Sequence, residues 1–486
     1  MTWKTKDRLF FKMRMEENNK TGKIALRPRI VYSGIFFACV AFGVATGIWL
    51  WFQNRELRAM KSLQPIVYYS VSKDEPFINA GDIVAEDNKG TFQAEKEALI
   101  RKKSDFIEAD LKNMKLSLYK DGEVKNIYTI LRKGKMGSFW ETTTGIYSVG
   151  AKSANHFSSI AKVWMPYGIQ FYGNFFIHGW PYYADGTLLQ SSYSGGCIRL
   201  DTDDAEKVFT FAKYGMPVLV FEEQPKRTLY ESLTYSDGAS DMPIVQAEAA
   251  IVTDMDTGEV LLDKNINEPL PLGALTKTMT ALTTSEVVNL ERTITAQAWM
   301  LEKPTSDNFL KTGERYRGFD LLYPLLMQSS NDAASVLGSF LGEPSTVIQM
   351  NKKAKGLGMV NTTFVDVTGE SDGNISTLMD LSRLAQYILE KRGFIFGVSI
   401  GTEYPEQKSI AFQNLTNYNP FVGEKGITGV IGGRTDAVGF TVLTAWNFSK
   451  EGKSPRNILI GVLGSNDANS DIMAIRAWIE KNFGMK

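Results

Sequence analysis

Ser194-Gly195-Gly196-Cys197-Ile198-Arg199-Leu200, with His178-Gly179 nineteen positions ahead of the cysteine, is the stretch on which the reading of this 486-residue chain turns. The chain has two cysteines, and Cys39 falls inside a long uncharged run, so Cys197 is the only thiol beyond it. A thiol with no intrachain partner in an exported segment is a reactive group or an intermolecular bridge. Acyl transfer by a thiol requires a thiolate, a base that generates it, and donors for the oxyanion of the tetrahedral intermediate. Free cysteine titrates near 8.5, so a neighbouring imidazolium is needed to lower it. The candidates are His156 and His178, and His178 ends an apolar aromatic run over 171–177 with Gly179 behind it. Two glycines before the cysteine allow a tight turn with converging backbone N–H groups, so Gly195, Gly196 and Cys197 are candidate oxyanion donors. Ser194 offers a hydroxyl or a carbonyl to orient the imidazole, the third role of a triad. Arg199 is a candidate bidentate clamp for a substrate carboxylate. Each feature has a plainer reading: a cysteine as a small buried hydrophobe, a histidine as a satisfied strand tip, Gly-Gly as a bend. Their conjunction within twenty-three residues points to chemistry.

Outward from this block, the length implies several folded units. Lys+Arg and Asp+Glu balance at 54 each, which leaves no electrostatic case for nucleic acid. Residues 30–52 are uncharged and apolar, long enough to span a bilayer, and follow a segment with nine Lys or Arg against three acids. The positive flank predicts residues 1–29 in the cytoplasm, one transmembrane helix over 30–52, and everything beyond on the outer side of the cytoplasmic membrane. A cleaved signal peptide is the competing reading; the run is long for one and lacks a small-x-small site. Residues 53–104 read as a juxtamembrane stalk with a short charged helix near 95–103.

Residues 105–222 have the texture of a mainly-β domain. Leu116 and Leu118 alternate with polar neighbours, Asp121-Gly122 marks a hairpin turn, and 124–131 supplies the return strand. Residues 144–149 and 217–221 read as strands, with a helix between Asp201 or Thr202 and Lys213, closed by Gly215. Residues 223–244 are polar and aperiodic, a linker. In 245–486 a hairpin around Thr257-Gly258 opens a mixed α/β unit, with helices expected over 274–287, 319–340, 346–356 and 376–391. Strands near 438–446 and 457–463 and a closing helix over 469–483 complete it.

The His178-Gly179 and Ser194-x-Gly196-Cys197-Ile198-Arg199-Leu200 blocks resemble the signature of the L,D-transpeptidase catalytic domain, and Gly134-Lys135 with Thr142-Thr143-Thr144-Gly145-Ile146-Tyr147 is similar to that family's upstream block. Gly195 stands where many members carry a second histidine, which leaves His178 as the base. The resemblance implies that Cys197 attacks the bond between the third, diamino residue of a peptidoglycan tetrapeptide stem and its terminal D-alanine. An amine of a neighbouring stem would then resolve the thioester into a 3→3 cross-link, without metal or organic cofactor. With Arg199, Gly179 and Trp180 are candidate substrate contacts, and 180–183 a candidate lid. Water as acceptor would make an L,D-carboxypeptidase instead. A papain-like or sortase-like peptidase is a rival, though papain-like enzymes place cysteine before histidine; a non-catalytic wall-binding scaffold is another.

Residues 245–486 resemble the serine D,D-carboxypeptidases among penicillin-binding proteins, through 271–277 (PLGALTK), 321–323, 328–334 (QSSNDAA), 350–359 and 376–377. Those enzymes use S-x-x-K, with serine as nucleophile. Here Ala274 occupies the serine position while Lys277 remains; Ser329-Ser330-Asn331 keeps the second motif, and Gly433-Arg434-Thr435-Asp436 replaces K-T-G or reflects a small deletion. The resemblance implies a domain that binds stem peptides without cutting them, or a folded spacer. The sequence leaves the oligomeric state open.

Overall fold

The computed structural model describes residues 87–222, 233–234, 242–301, 310–402, 411–412, 415–435, 438–450 and 452–485. The expected cytoplasmic segment, the transmembrane run over 30–52, most of the linker and Asp436 lie outside the described residues. Among the described residues no helix is long and apolar enough to cross a membrane.

Helix α1 (Asp87–Arg101) occupies the end of the expected stalk, and it is packed rather than free. Leu99 and Phe92 join Phe106, Tyr119 and Leu219 in an apolar cluster, and Lys96 pairs with Glu108 at 2.6 Å. A stalk residue beyond the reach of a core would gain nothing from Leu99; the helix forms because its apolar face is buried.

Strands β1 (Phe106–Asp110), β2 (Lys115–Lys120) and β3 (Glu123–Thr129) form a meander. The β2–β3 turn is Asp121-Gly122, both at positive φ (54° and 83°), the geometry that two-residue hairpins require. Strands β4 (Gly145–Ser148), β5 (Ala151–Ser158), β6 (Val163–Tyr172), β7 (Phe175–His178), β8 (Ile198–Arg199) and β9 (Pro217–Phe221) complete the domain. They make two sheets, β3-β2-β1-β9-β4 and β5-β6-β7-β8. Helix α2 (Thr202–Phe211) is capped by the Asp201 carboxylate on Asp203 N–H. It ends at Ala212, whose extended backbone stops it before Lys213; Gly215 (φ 78°) belongs to a separate turn in which Met216 N–H bonds Lys213 O.

The second domain is a five-stranded antiparallel sheet between helical layers. Strands β10 (Ala249–Asp254), β11 (Val260–Lys264), β12 (Leu270–Pro271), β13 (Thr293–Thr295), β14 (Arg315–Arg317), β15 (Ile375–Ser376), β16 (Ile427–Thr435), β17 (Gly439–Lys450) and β18 (Lys453–Ser465) include the main sheet, β11-β10-β18-β17-β16. Helix α3 (Thr276–Val287) is buried along its whole length, and its threonines turn their hydroxyls onto carbonyls, as Thr280 does on Val367 O at 2.7 Å. Around it stand α4 (Gly318–Met327), α5 (Asn331–Gly338), α6 (Glu343–Gly356), α7 (Leu378–Lys391) and α8 (Phe394–Ser399); α9 (Ala468–Phe483) covers the other face of the sheet. The single helix expected over 319–340 is broken into α4 and α5. Ser329 adopts φ 54°, and Ser330 restarts the chain by accepting a hydrogen bond from Ala333 N–H.

The two domains share an interface built from buried charge. The Glu286 carboxylate receives Lys353 (2.8 Å), Arg392 (2.9 Å) and the Tyr387 hydroxyl (2.5 Å). Lys353 donates onward to Thr143 Oγ1 (2.8 Å) and Tyr147 OH (3.1 Å) of the first domain. Lys391 bridges Glu141 (2.5 Å) and Glu222 (2.6 Å), and Arg392 donates to the Glu141 carbonyl. Phe139 inserts between Phe319 (4.9 Å) and Phe394 (5.3 Å). Burial alone would raise the Glu286 pKa; Lys353 and Arg392 overcome it and hold the carboxylate ionised. Removing one partner of such a set leaves the others uncompensated in a dry interface. Glu286→Gln is therefore expected to cost about 3–5 kcal/mol in urea denaturation. The exposed pair Lys207–Asp204, truncated as a control, should leave the midpoint unchanged.

Candidate functional site

Strand β7 is four buried residues that run parallel to β8, with Ile177 opposite Ile198 and His178 opposite Arg199. Because side chains alternate across a strand, Ile177 and Ile198 face one side while His178, Arg199 and the preceding Cys197 face the other. The pairing thus converts a nineteen-residue separation into a shared face. Cys197 is buried against Val163, Met165 and Phe176. The imidazole is buried too, and its Nδ1 lies 2.6 Å from Gly179 O. A carbonyl only accepts, so this contact puts the proton on Nδ1 and leaves Nε2 with a lone pair, the state a base requires. The sequence reading gave the orienting role to Ser194. Its hydroxyl instead donates to the Cys197 carbonyl and ties the turn shut, because residues 194–197 double back on themselves.

That turn needs its glycine. Gly196 sits at φ 97°, and a Cβ there would lie 2.6 Å from the Phe175 ring. Gly195 is exposed, and among the described residues no backbone acceptor takes the amides of Gly195 or Gly196, which leaves both open to an incoming oxygen. Gly179 bonds Pro166 O and packs against Thr202, so its part is to bring β7 against α2.

Arg199 is 2% exposed, and its Nε and Nη1 have no hydrogen-bond partner. Its guanidinium lies 4.8 Å from the Trp180 ring, with that of Arg132 5.7 Å from the same ring. Two cations thus share one indole. Arg132 was not singled out from the sequence; it reaches the site through the backbone, where Arg132 and Arg199 exchange hydrogen bonds. Nothing in its local sequence, Leu131-Arg132-Lys133-Gly134-Lys135, marks it out. His156 was set aside, yet its ring stacks on Phe176 at 4.5 Å, one side chain from Cys197.

Burial pushes the Cys197 thiol up to about 11 and the His178 imidazole down to about 4, so both are neutral near pH 7. The thiol donates to Asn174 O at 3.6 Å, an acceptor that favours its protonated form. Among the described residues no His/Cys/Asp/Glu group is arranged to hold a metal ion.

The second-domain candidates also converge. Ala274, Lys277, Ser329, Asn331 and Arg434 line one cavity of about 510 Å³, with Gln328 and Tyr418. Lys277 donates to Thr368 O at 2.7 Å, and burial pushes it down to about 8, against the pull of Asp366 and Glu370. A Cβ on Gly433 would lie 3.0 Å from that of Ala274. Strand β16 pairs continuously with β17 over Gly429–Thr435, which sets Gly433 and Arg434 along the cavity.

Residues 104–220 match the family model of the L,D-transpeptidase catalytic domain, and residues 237–454 that of the D-alanyl-D-alanine carboxypeptidases. The chain is 32% identical over 153 residues to the D-alanyl-D-alanine carboxypeptidase DacF of Bacillus subtilis, covering 30% of this chain and 39% of that one. It is 29% identical over 282 residues to a D-alanyl-D-alanine endopeptidase of Pseudomonas aeruginosa, covering 52% and 86%. It thus spans well under half of the Bacillus relative. Among solved structures, a D-alanyl-D-alanine carboxypeptidase from Mycobacterium tuberculosis aligns with TM-score 0.44 at 23% identity, over 50% of this chain and 94% of that one. The chain therefore joins an L,D-transpeptidase-family domain to a D-alanyl-D-alanine carboxypeptidase-family domain.

The depressed imidazole has a thermodynamic consequence. Between about pH 4 and 6.5 the unfolded chain binds a proton at residue 178 that the folded chain does not, so stability rises with pH across that window. His178→Gln is expected to flatten the slope by up to about one proton when melting is followed from pH 4 to 7.

Proposed function

We propose that the chain is a peptidoglycan L,D-transpeptidase that forms 3→3 cross-links through a Cys197 thioester. The observation that carries this reading is the register of β7 and β8, which puts Cys197 on the same face as a His178 whose Nε2 keeps its lone pair. As the scissile carbonyl approaches, the thiol proton passes to Nε2 and sulfur adds to the carbonyl carbon. The Gly195, Gly196 and Cys197 amides take the oxyanion. The C–N bond then breaks, and D-alanine leaves with the proton from the imidazolium. The amine of a second stem adds to the thioester and gives its proton to Nε2. The C–S bond breaks, and the sulfur is reprotonated.

Arg199 and Arg132 bind a carboxylate of the donor stem. Two guanidiniums on one indole with no acid between them form a site that an anion completes. The second domain is a pseudoenzyme: an alanine at 274 has no hydroxyl with which to attack a carbonyl. Its cavity, with Lys277 and Arg434 as cations, holds a stem peptide close to the first domain and raises the local donor concentration. Residues 30–52 anchor the chain in the cytoplasmic membrane as a single pass, with both domains outside.

Incubation of the chain with tetrapeptide-bearing peptidoglycan should yield stem dimers joined through their third residues, read by mass spectrometry, and none with Cys197→Ala. Tripeptide stems without dimers would assign water as the acceptor and sink the transferase reading. Arg199→Met is expected to raise KM for the donor by about tenfold or more, the loss of one charge-assisted pair. Labelled penicillin should leave no acyl adduct on the second domain, and such an adduct would overturn its assignment as a pseudoenzyme.

A further inference from the structure

We propose that the second domain positions the thiol, the C-terminal end of α3 at Glu286 and Val287 acting, with Arg392, as the seat of the turn that holds Cys197. This rests on Cys197 being the nucleophile. The turn is Gly173-Asn174-Phe175, which joins β6 to β7. One residue in it, Asn174, touches both sides. Its carbonyl accepts the Cys197 thiol at 3.6 Å, and its side-chain Nδ2 donates to Glu286 O at 3.5 Å. Glu286 O is among the last carbonyls of α3, which lack partners within the helix, so an outside donor is what it requires.

The neighbours in the turn repeat the pattern. Gly173 sits at φ 46°, and a Cβ there would lie 2.6 Å from Val287 Cγ1 and 3.0 Å from Glu286 O. The turn therefore rests directly on the helix end, with no room for a methyl group. Phe175 presses on the nucleophile's own turn at Gly196, and the Arg392 guanidinium lies 5.8 Å from its ring. Arg392 is itself fixed by Glu286 at 2.9 Å. Glu286 thus supports the turn twice, through its carbonyl on Asn174 and through its carboxylate on the cation behind Phe175.

The thiol feels this placement. The Asn174 carbonyl favours S–H, while the Phe176 backbone N–H favours S⁻. Moving the turn off α3 withdraws the first and leaves the second, so the thiol should ionise more readily and lose its fixed direction. The same helix begins at Thr276 beside Ala274 and lines the second-domain cavity with Lys277. Twelve residues of helix, about 18 Å, separate the two sites. One end of this helix thus lines the cavity with Lys277, while the other supports the turn that holds the thiol.

The test is the pH dependence of iodoacetamide labelling of Cys197 in the full chain, followed on the Cys197 peptide by mass spectrometry, beside turnover. Gly173→Ala is expected to lower the labelling midpoint by about half a pH unit or more. It should also reduce kcat about tenfold with KM within about twofold, the signature of a misdirected reacting group. Adding Val287→Ala removes the nearest contact of the new Cβ, Val287 Cγ1, but leaves Glu286 O at 3.0 Å, and should restore both in part. If Gly173→Ala does not fold, Asn174→Ala, which loses only the bond to Glu286 O, takes its place with the same expected direction. A folded variant whose midpoint and kcat stay with the parent, even if its melting temperature falls, would overturn the proposal and leave a merely structural contact. The nucleophile reading fails separately, if Cys197→Ala keeps its turnover.

Discussion

The buried carboxylate of Glu286 is the interaction on which the two-domain arrangement depends. Three donors converge on it, and all three continue to the first domain, Lys353 and Tyr387 at Thr143 and Arg392 at the Glu141 carbonyl. A fully buried ionised acid is tolerable only when its lone pairs are taken and its charge is balanced. The first domain helps meet that condition with Thr143, Tyr147 and the Glu141 carbonyl, so the network is complete only when the domains are together. Lys391 repeats the logic with Glu141 and Glu222. A flexible tether between independent domains would not need such groups, and an apolar interface would not demand this register.

Much of the catalytic region was legible because its requirements are local. A turn at φ 97° with no space for a Cβ needs glycine, so Gly196 is visible in the sequence. The β7–β8 pairing follows from an apolar run that ends in His178 and a short one that begins after Cys197. The Asp121-Gly122 hairpin and the closing helix are equally local. What escaped was set by distant partners. Ser194 was assigned to the imidazole because triads need a third member, but the nearer acceptor, Cys197 O, took its hydroxyl. The 319–340 segment reads as one helix by periodicity, yet Ser329 at φ 54° breaks it, and that break brings Ser329 into the cavity beside Ala274 and Gly433. Strand β16 carries five β-branched residues, but its three glycines interrupt the alternation that would mark a strand, and pairing with β17 sets its extent.

The charged residues of the interface were the least legible. Glu286, Lys353, Lys391 and Arg392 stand in or beside helices where a lysine or glutamate ordinarily marks the wet face. Nothing in a single sequence distinguishes a solvated charge from one awaiting a partner more than a hundred residues away. The same limit hid Arg132. Arg199 was singled out as a cation, but its pairing with Arg132 exists only because the 131–132 backbone hydrogen-bonds to Arg199.

The electrostatics of the first site also clarify what Arg199 does. Its charge lowers the thiol pKa and, in the same measure of sign, lowers that of the imidazole. For proton transfer from sulfur to Nε2 these effects oppose each other: the cation helps the thiolate and hinders the imidazolium. A guanidinium retained at 2% exposure for the sake of the ion pair would therefore gain little. Its Nε and Nη1 are open, its neighbour across Trp180 is another cation, and both arrangements are costly until an anion arrives. Under the proposed function, the arginine is a group kept unsatisfied for the donor stem, whose carboxylate would offset the burial of both guanidiniums.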